Sequence, residues 1–226
     1  MSKLVWDAVG EKIFETGVNH GVLFVQNSDG TYKNGVVWNG LTGVTESPDG
    51  AEPTDLWADN IKYASLRSAE TFGATIEAYT YPDEFYECDG SATVADGVYF
   101  GQQSRTPFGF TYRTEVGSDT IAADSDTAYK IHIIYNATAS PSERAYETIN
   151  DSPDAITFSW EVTTTPVPVT GYKPVSSITI DTLKLNDSTK LKAIEDLLYG
   201  TANAESTLPT PAQILGIVGG SSTTTT

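Results

Sequence analysis

The sequence predicts a mainly β protein, a sandwich or barrel with one flanking α-helix and a long inter-strand loop. Three observations carry this expectation. Apolar and polar residues alternate along much of the chain, which is the period of a half-buried strand. Clusters of Gly, Asn, Asp and Pro interrupt the alternating runs at short intervals, as they do where strands reverse. Only one longer segment carries apolar residues at helical spacing.

The clearest strands are Phe108, Phe110, Tyr112 alternating with Gly109, Thr111, Arg113, and Ile156, Phe158, Trp160, Val162 alternating with Thr157, Ser159, Glu161, Thr163. Further strands are expected over Val22 to Gln26, Val36 to Leu41, Ile61 to Arg67, Ala74 to Thr80, Tyr129 to Asn136 and Ser177 to Asp181. Asn27-Ser28-Asp29-Gly30 and Asn34-Gly35 tolerate positive φ and suit a hairpin-like connection. A short helical turn fits Pro82 to Cys88, with acidic Asp83 and Glu84 near its N-terminus. The main helix spans about 187–199: Asp187 or Ser188 caps it, Leu191, Ile194, Leu197 and Leu198 form its stripe, and Gly200 ends it.

Length places residues 1–200 in one domain with a sizeable core, followed by an arm and a low-complexity tail over 201–226. Lys and Arg number 13 against 30 Asp and Glu, a formal charge of -17. A surface so short of cations repels a phosphate backbone, which excludes a conventional nucleic-acid binder. One cysteine, Cys88, precludes an internal disulfide, and no apolar run reaches the roughly 20 residues needed to span a bilayer. The start of the chain shows no apolar leader, so synthesis in the cytoplasm is expected.

Signals for chemistry are weak. Cys88 with His20 or His132 lacks an orienting third group. Asp83, Glu84, Glu87 and Asp89 offer carboxylates for glycoside hydrolysis, but such pairs arise by chance in a chain with so many acids. Asn27-Ser28-Asp29-Gly30 and Asp124-Ser125-Asp126 resemble fragments of calcium loops without the full ligand spacing, and ordinary turns explain them better. No phosphate loop, nucleophile elbow or zinc cluster is present. The expectation is a protein that is not an enzyme and needs no metal or cofactor.

Two segments resist placement in a core. Thr42 to Asn60 carries Glu46, Pro48, Asp49, Glu52, Asp55 and Asp59 with no cation, and an irregular stretch of that length is uncommon unless it has a function. Within it, Leu56 and Trp57 suit either a local mini-core or an intermolecular anchor. Beyond Gly200, Leu208, Ile214, Leu215, Ile217 and Val218 are too apolar to remain in water, while Pro209 and Pro211 favour an extended arm that docks on its own subunit or a neighbour. The tail from Gly219 to Thr226 carries no such signal.

Longer words in the chain resemble the major tail (tail tube) proteins of long, flexible-tailed bacteriophages. They include Lys3-Leu4-Val5-Trp6-Asp7, Gly17-Val18-Asn19-His20-Gly21, Trp38-Asn39-Gly40-Leu41 followed by Glu46-Ser47-Pro48, and Ala58-Asp59-Asn60-Ile61-Lys62-Tyr63. The likeness continues through Gly73-Ala74-Thr75-Ile76-Glu77-Ala78-Tyr79, Asn150-Asp151-Ser152-Pro153-Asp154, Phe158-Ser159-Trp160-Glu161-Val162, Gly171-Tyr172-Lys173-Pro174 and Lys190-Leu191-Lys192-Ala193-Ile194. It covers nearly all of residues 3–200.

The resemblance implies a tail-tube-type β-sandwich whose copies form hexameric rings stacked into a tube, the conduit for DNA ejection. It implies that the Thr42 to Asn60 loop reaches the adjacent ring, and that DNA passes without specific binding. The implied partners are further copies of the chain, a tape-measure protein inside the tube, and tail terminator and distal tail proteins at its ends; the implied location is the virion tail. Glu77 and Glu115, on strands whose alternate residues are apolar, are the expected lumen-facing acids. The alternatives are a carbohydrate-binding or adhesin-type sandwich presenting Tyr79, Tyr81, Phe85 and Tyr86, and a glycosidase using the carboxylates near Cys88.

Overall fold

The computed structural model describes residues 4–50, 52–121, 128–146, 148–149, 154–185 and 187–219. Its strands are β1 (Phe14–Val25), β2 (Val36–Trp38), β3 (Leu41–Gly50), β4 (Pro53–Ala58), β5 (Ile61–Arg67), β6 (Glu70–Ala78), β7 (Ala92–Ala95), β8 (Val98–Phe100), β9 (Phe108–Gly117), β10 (Tyr129–Ala139), β11 (Phe158–Thr164) and β12 (Ser177–Asp181). Two helices, α1 (Ser188–Tyr199) and α2 (Pro211–Gly219), follow them. The Asp124-Ser125-Asp126 fragment, the Asn150 to Pro153 word and the tail beyond Gly219 lie outside the described residues.

The main sheet is antiparallel and runs β2-β1-β9-β10-β11-β6-β3, with β12 added to β10. It folds over on itself at β10, whose first half pairs with β9 and β12 and whose last residues pair with β11. A bulge between Ile134 and Ala137, with Asn136 at φ 49, makes the corner; asparagine is among the few residues that accept that conformation cheaply. The result is a sandwich of two layers, β2-β1-β9-β10 over β11-β6-β3.

Alternation along the strands then fills two cores. Leu23, Val25, Phe108, Phe110 and Tyr112 point between the layers and meet Ala74, Ile76, Ala78, Trp160 and Val162 from the other side. Trp38 centres this first core, with its ring 4.6 Å from that of Phe85, 5.4 Å from Phe110 and 5.5 Å from Trp160. The opposite face of the β1-β9-β10 layer is also apolar: Val22, Phe24, Ile131, Ile133 and Tyr135 form a second core beneath Ile194 and Leu198 of α1 and Ile214 of α2. That layer is buried on both faces, which explains the short apolar runs Val22–Val25 in β1 and Ile133–Tyr135 in β10.

Helix α1 begins where expected, because the Asp187 carboxylate accepts the Thr189 and Lys190 backbone N–H groups at 3.0 and 3.2 Å. It is clamped to the sheet by Arg113, which lies 4.2 Å and 4.7 Å from the ring centres of Tyr129 and Tyr199 and pairs with Glu195. The Pro82 to Cys88 turn is a 3-10 helix over Asp83–Glu87 that buries Phe85.

Several expectations change. Val36 to Leu41 is not one strand: Gly40 takes φ 76 and separates β2 from β3. Asn34-Gly35 is not a positive-φ turn; the Gly35 N–H instead donates to Ser206 Oγ at 2.8 Å. The C-terminal segment is not an extended arm throughout. Pro211 opens α2 at its first turn, where a missing N–H costs nothing, and Thr210 with Gln213 forms a capping box with bonds of 2.8 and 3.3 Å. The segment docks on its own subunit: Leu208 and Ile214 are buried in the second core and Ile217 packs against it, whereas Leu215 and Val218 remain exposed.

Leu208 lies so close to β9 that a Cβ on Gly109 would stand 2.3 Å from its Cδ2. Replacing Leu208 or Ile214 by alanine therefore opens a cavity and should lower stability by about 2–4 kcal/mol. Removing everything after residue 200 should lower the melting temperature further by uncovering the second core. Thermal unfolding of the three variants checks both; a melting temperature unchanged on truncation would show that the segment adds nothing.

Candidate functional site

Acidic composition made the Thr42 to Asn60 segment read as an irregular loop, but the structure makes it strand. Residues 41–50 are β3, hydrogen-bonded to β6 from Leu41↔Ala78 out to Gly50↔Glu70. Beyond them β4 and β5 form a hairpin that pairs only with itself. Its tip is Asp59-Asn60, both at positive φ (51 and 62), the geometry of a two-residue type I′ turn. That dipeptide between Ala58 and Ile61 was the available signal for a hairpin.

The segment's named residues separate accordingly. Pro48 and Asp49 sit in β3, Glu52 is exposed before β4, and Asp55 pairs with Lys62 at 2.7 Å while accepting the Ser65 hydroxyl at 2.9 Å. Leu56 and Trp57 are exposed, Trp57 at 68%, so no mini-core forms beneath them. Ile61, Tyr63 and Leu66 on β5 are exposed as well. The hairpin thus has apolar side chains and no core of its own.

Glu46 does not belong to that outward set. Its cross-strand partner is Ala74, a first-core residue, so its side chain points between the layers. There it accepts the Tyr112 hydroxyl at 2.8 Å and lies 3.6 Å from His132 Nδ1, just beyond a standard hydrogen bond. His132 stacks on Tyr112 at 4.6 Å and shares a 3.0 Å contact with the Thr114 hydroxyl. The adjacent imidazole is the main influence holding the Glu46 carboxyl below its ordinary value, helped by Tyr112 and opposed by partial burial. Burial, with Glu46 beside it, pushes the Tyr112 phenol up.

The two acids expected in a lumen lie on opposite outer faces of the sandwich. Glu77 is exposed and pairs across with Gly43 and Ser159, on the face of β3-β6-β11 that points away from the first core. Glu115 pairs with Tyr129, a second-core residue, and accepts Asn19 Nδ2 at 2.7 Å on the helix side of the other layer. One wall cannot hold both. The residue that does share a face with Glu77 is Glu161, opposite Thr75; Thr45, Ser47 and Thr163 complete a polar, cation-free surface. Strict alternation through Trp160 and Val162 was the signal for Glu161.

Most of the candidates for chemistry are occupied structurally, whereas Asp83 and Glu84 are exposed on the 3-10 turn. Cys88 is wholly buried in the first core and its thiol is pushed up to about 12, first by burial and then by Glu87, so it is not a thiolate at neutral pH. Asp89 pairs with Arg105 and Arg144, and Glu87 with Lys33. Asp29 accepts the Thr31 N–H and hydroxyl at 3.0 and 2.6 Å, an ordinary Asx turn whose bonds hold its carboxyl low. Tyr79, Tyr81, Phe85 and Tyr86 do not form an exposed coplanar platform: Phe85 is buried, and the Tyr81 and Tyr86 rings meet at 74°. Among the described residues no group of three or more His, Cys, Asp or Glu side chains is arranged to hold a metal ion.

Exposed apolar side chains gather at the two opposite ends of the strands. The antiparallel registers place the starts of β1 and β6 and the ends of β3 and β9 at one end, with the β4-β5 hairpin and the segment before β1, where Trp6 is 76% exposed. The other end carries the 3-10 turn, the β7-β8 hairpin with exposed Val94, Val98 and Phe100, and the connection from β10 to β11 with Tyr146 and Ile156. The β7-β8 hairpin was not foreseen, because strands of four and three residues are too short to give a periodic signal. Compared with known proteins, the sequence matches no family model and no curated protein.

The Glu46 cluster sets a pH dependence. A carboxyl depressed by folding contributes its stabilisation fully above its ordinary value near 4.5, and that contribution disappears as pH falls through the depressed folded value. Glu46→Gln should therefore cost about 1 kcal/mol at neutral pH, allowing for solvent screening, and should flatten the loss of stability on acidification below that range. Denaturant titrations of both proteins between neutral and acid pH check it; identical acid slopes would remove Glu46 from this role.

Proposed function

We propose that the chain is a structural, self-assembling protein of the tail-tube type, whose copies form stacked hexameric rings around a channel for DNA. The observation that carries this reading is the coexistence of two features on one small sandwich. Apolar side chains project from both ends of the strands with none of the described residues covering them, and one outer face of the sheet is polar and free of cations. Contiguous exposed apolar surface marks contact with another molecule. A hydroxyl and carboxylate face, with Glu77 and Glu161, suits a wall that DNA must slide past, because it offers no cation to displace phosphate counterions.

Free ladder edges add to the argument. β3 and β2 end the main sheet, and an isolated edge invites pairing unless it is covered. Joining sheets of neighbouring copies satisfies those edges and continues the polar face around a ring. On this reading the chain works without catalysis or cofactor, in the virion tail, with a tape-measure protein within and terminator and distal tail proteins at the ends. No helix among the described residues is long and apolar enough to cross a membrane.

Electron microscopy of the concentrated protein should show rings or tubes of uniform diameter. Deleting residues 43–52 is a poor probe of stacking, since it removes most of β3 from the sheet. Trp57→Ser combined with Tyr63→Ser is cleaner. Both side chains are exposed, so stability should change by no more than about 0.5 kcal/mol per site while tube formation is lost. Tubes of normal length from the double variant would remove the hairpin from assembly.

A further inference from the structure

Asn34-Gly35 and Asn39-Gly40 flank the short strand β2 on either side. In an Asn-Gly pair the glycine nitrogen can reach the asparagine side-chain carbonyl, because no Cβ obstructs its approach. The fold holds the two pairs differently. Gly35 is packed in place: its N–H donates to Ser206 Oγ at 2.8 Å and approaches the Ser206 carbonyl at 3.4 Å, and a Cβ there would stand 2.7 Å from Phe24 Cε1. Asn39 and Gly40 are both exposed, with Gly40 at φ 76. Among the described residues neither the Asn39 side chain nor the Gly40 N–H has a hydrogen-bond partner. Elsewhere the amides of Asn19, Asn27 and Asn136 donate to Glu115, Thr31 and the Thr165 carbonyl, and Asn60 precedes a β-branched residue, Ile61, that shields its own nitrogen.

We propose that Asn39 is a self-modification site, which the folded chain converts without an enzyme to aspartate and isoaspartate while Asn34 is spared. The Gly40 nitrogen loses its proton to solvent base and bonds to Asn39 Cγ. The Cγ–Nδ2 bond breaks, ammonia leaves, and a cyclic imide remains. Water then opens the imide at either carbonyl. Opening at the main-chain carbonyl leaves the chain running through the side-chain carbon, as isoaspartate with the backbone lengthened by a methylene; opening at the other gives aspartate. Both products gain a negative charge, and nothing is oxidised or reduced.

The position gives the lengthened product a structural consequence. Asn39 follows Trp38, the centre of the first core, and the Gly40 carbonyl accepts the Tyr79 N–H at 2.8 Å just before Leu41 opens β3. A Cβ on Gly40 would stand 3.0 Å from Thr80 Cγ2, so this connector lies directly on the chain beyond β6. An added methylene must displace either Trp38 or the start of β3, whereas aspartate changes only the charge of an exposed side chain. The chemistry is the same whether or not copies assemble.

Ageing the purified full chain at mildly alkaline pH, with peptide mapping by mass spectrometry, tests the site. In the folded protein Asn39 should convert at least about tenfold faster than Asn34, whose glycine must first give up its bond to Ser206 and its packing. In concentrated urea the two should convert at similar rates. Isotopically labelled water should place its oxygen in both products, the mark of the imide route. Equal rates in the folded chain, or an Asn39 that stays an amide while the unfolded chain converts, overturns the proposal. Aged protein should also melt below fresh protein, while freshly purified Asn39→Asp melts with the wild type and Asn39→Ser does not change on ageing at that site. An isoaspartate-bearing protein that melts like the fresh one overturns the consequence for Trp38 and β3.

Discussion

The aromatic cluster around Trp38 holds the two layers of the sandwich together, and the rest of the molecule depends on it. Trp38 comes from β2, Phe85 from the 3-10 turn, Phe108 and Phe110 from β9, and Trp160 from β11, so four distant stretches of chain meet in one set of edge-to-face and tilted contacts. Each such ring contributes roughly 1.5–3 kcal/mol on burial, with a further increment for the ring geometry. The Trp38 indole N–H also donates to the Thr80 carbonyl at 2.9 Å, which ties β2 to the chain just beyond β6. The aromatics at the strand ends, Trp6, Trp57, Tyr63 and Phe100 among them, are exposed and join no such cluster.

Much of this was legible in the sequence, and the failures have identifiable causes. Alternation gave β9 and β11 because each faces the first core with one set of residues. It placed β12 over Ser177–Asp181 and α1 within a residue of its ends, since Asp187 and Gly200 are strong stop signals. Composition misled at β3 to β5, where a run of acids and prolines looked irregular although Asp59-Asn60 marked a tight turn. The prolines near α2 misled in the same manner: Pro211 was read as a breaker when Thr210 and Gln213 around it made it a start. Glu46 pointing inward, and Glu77 and Glu115 lying on opposite faces, were not legible for a different reason. Which face of a strand meets which core depends on bulges and on how the sheet folds, and two register shifts lie in the β1-β9 ladder alone.

Burial on both faces of the β1-β9-β10 layer has a consequence for how the molecule can change shape. Glycines at 35 and 109 let the segment 206–208 lie directly on the sheet, and the Arg113, Tyr129, Glu195 and Tyr199 group locks α1 over it. That half is packed on both faces. The β3-β6 half is covered on one face only, by the first core, and its outer face and terminal hairpin are bare. The exposed polar face is thus carried by the less buried half, braced at its base by Glu46 reaching across to Tyr112 and His132.

The strong negative charge acts in two directions. On an isolated chain it opposes association, because copies approaching end to end bring more carboxylates than cations with them. Within an assembly the same carboxylates on a cation-free face keep a polyanion from adhering. These demands are compatible only if attraction is short-ranged and localised while repulsion is long-ranged and diffuse. Exposed Trp57, Tyr63 and Phe100 provide the first, since apolar contact acts only on touching. The dispersed acids provide the second, attenuated beyond a Debye length of about 8 Å at physiological ionic strength. On the proposed reading, a chain built on that division stays apart when dilute and presents an unadhesive wall once assembled.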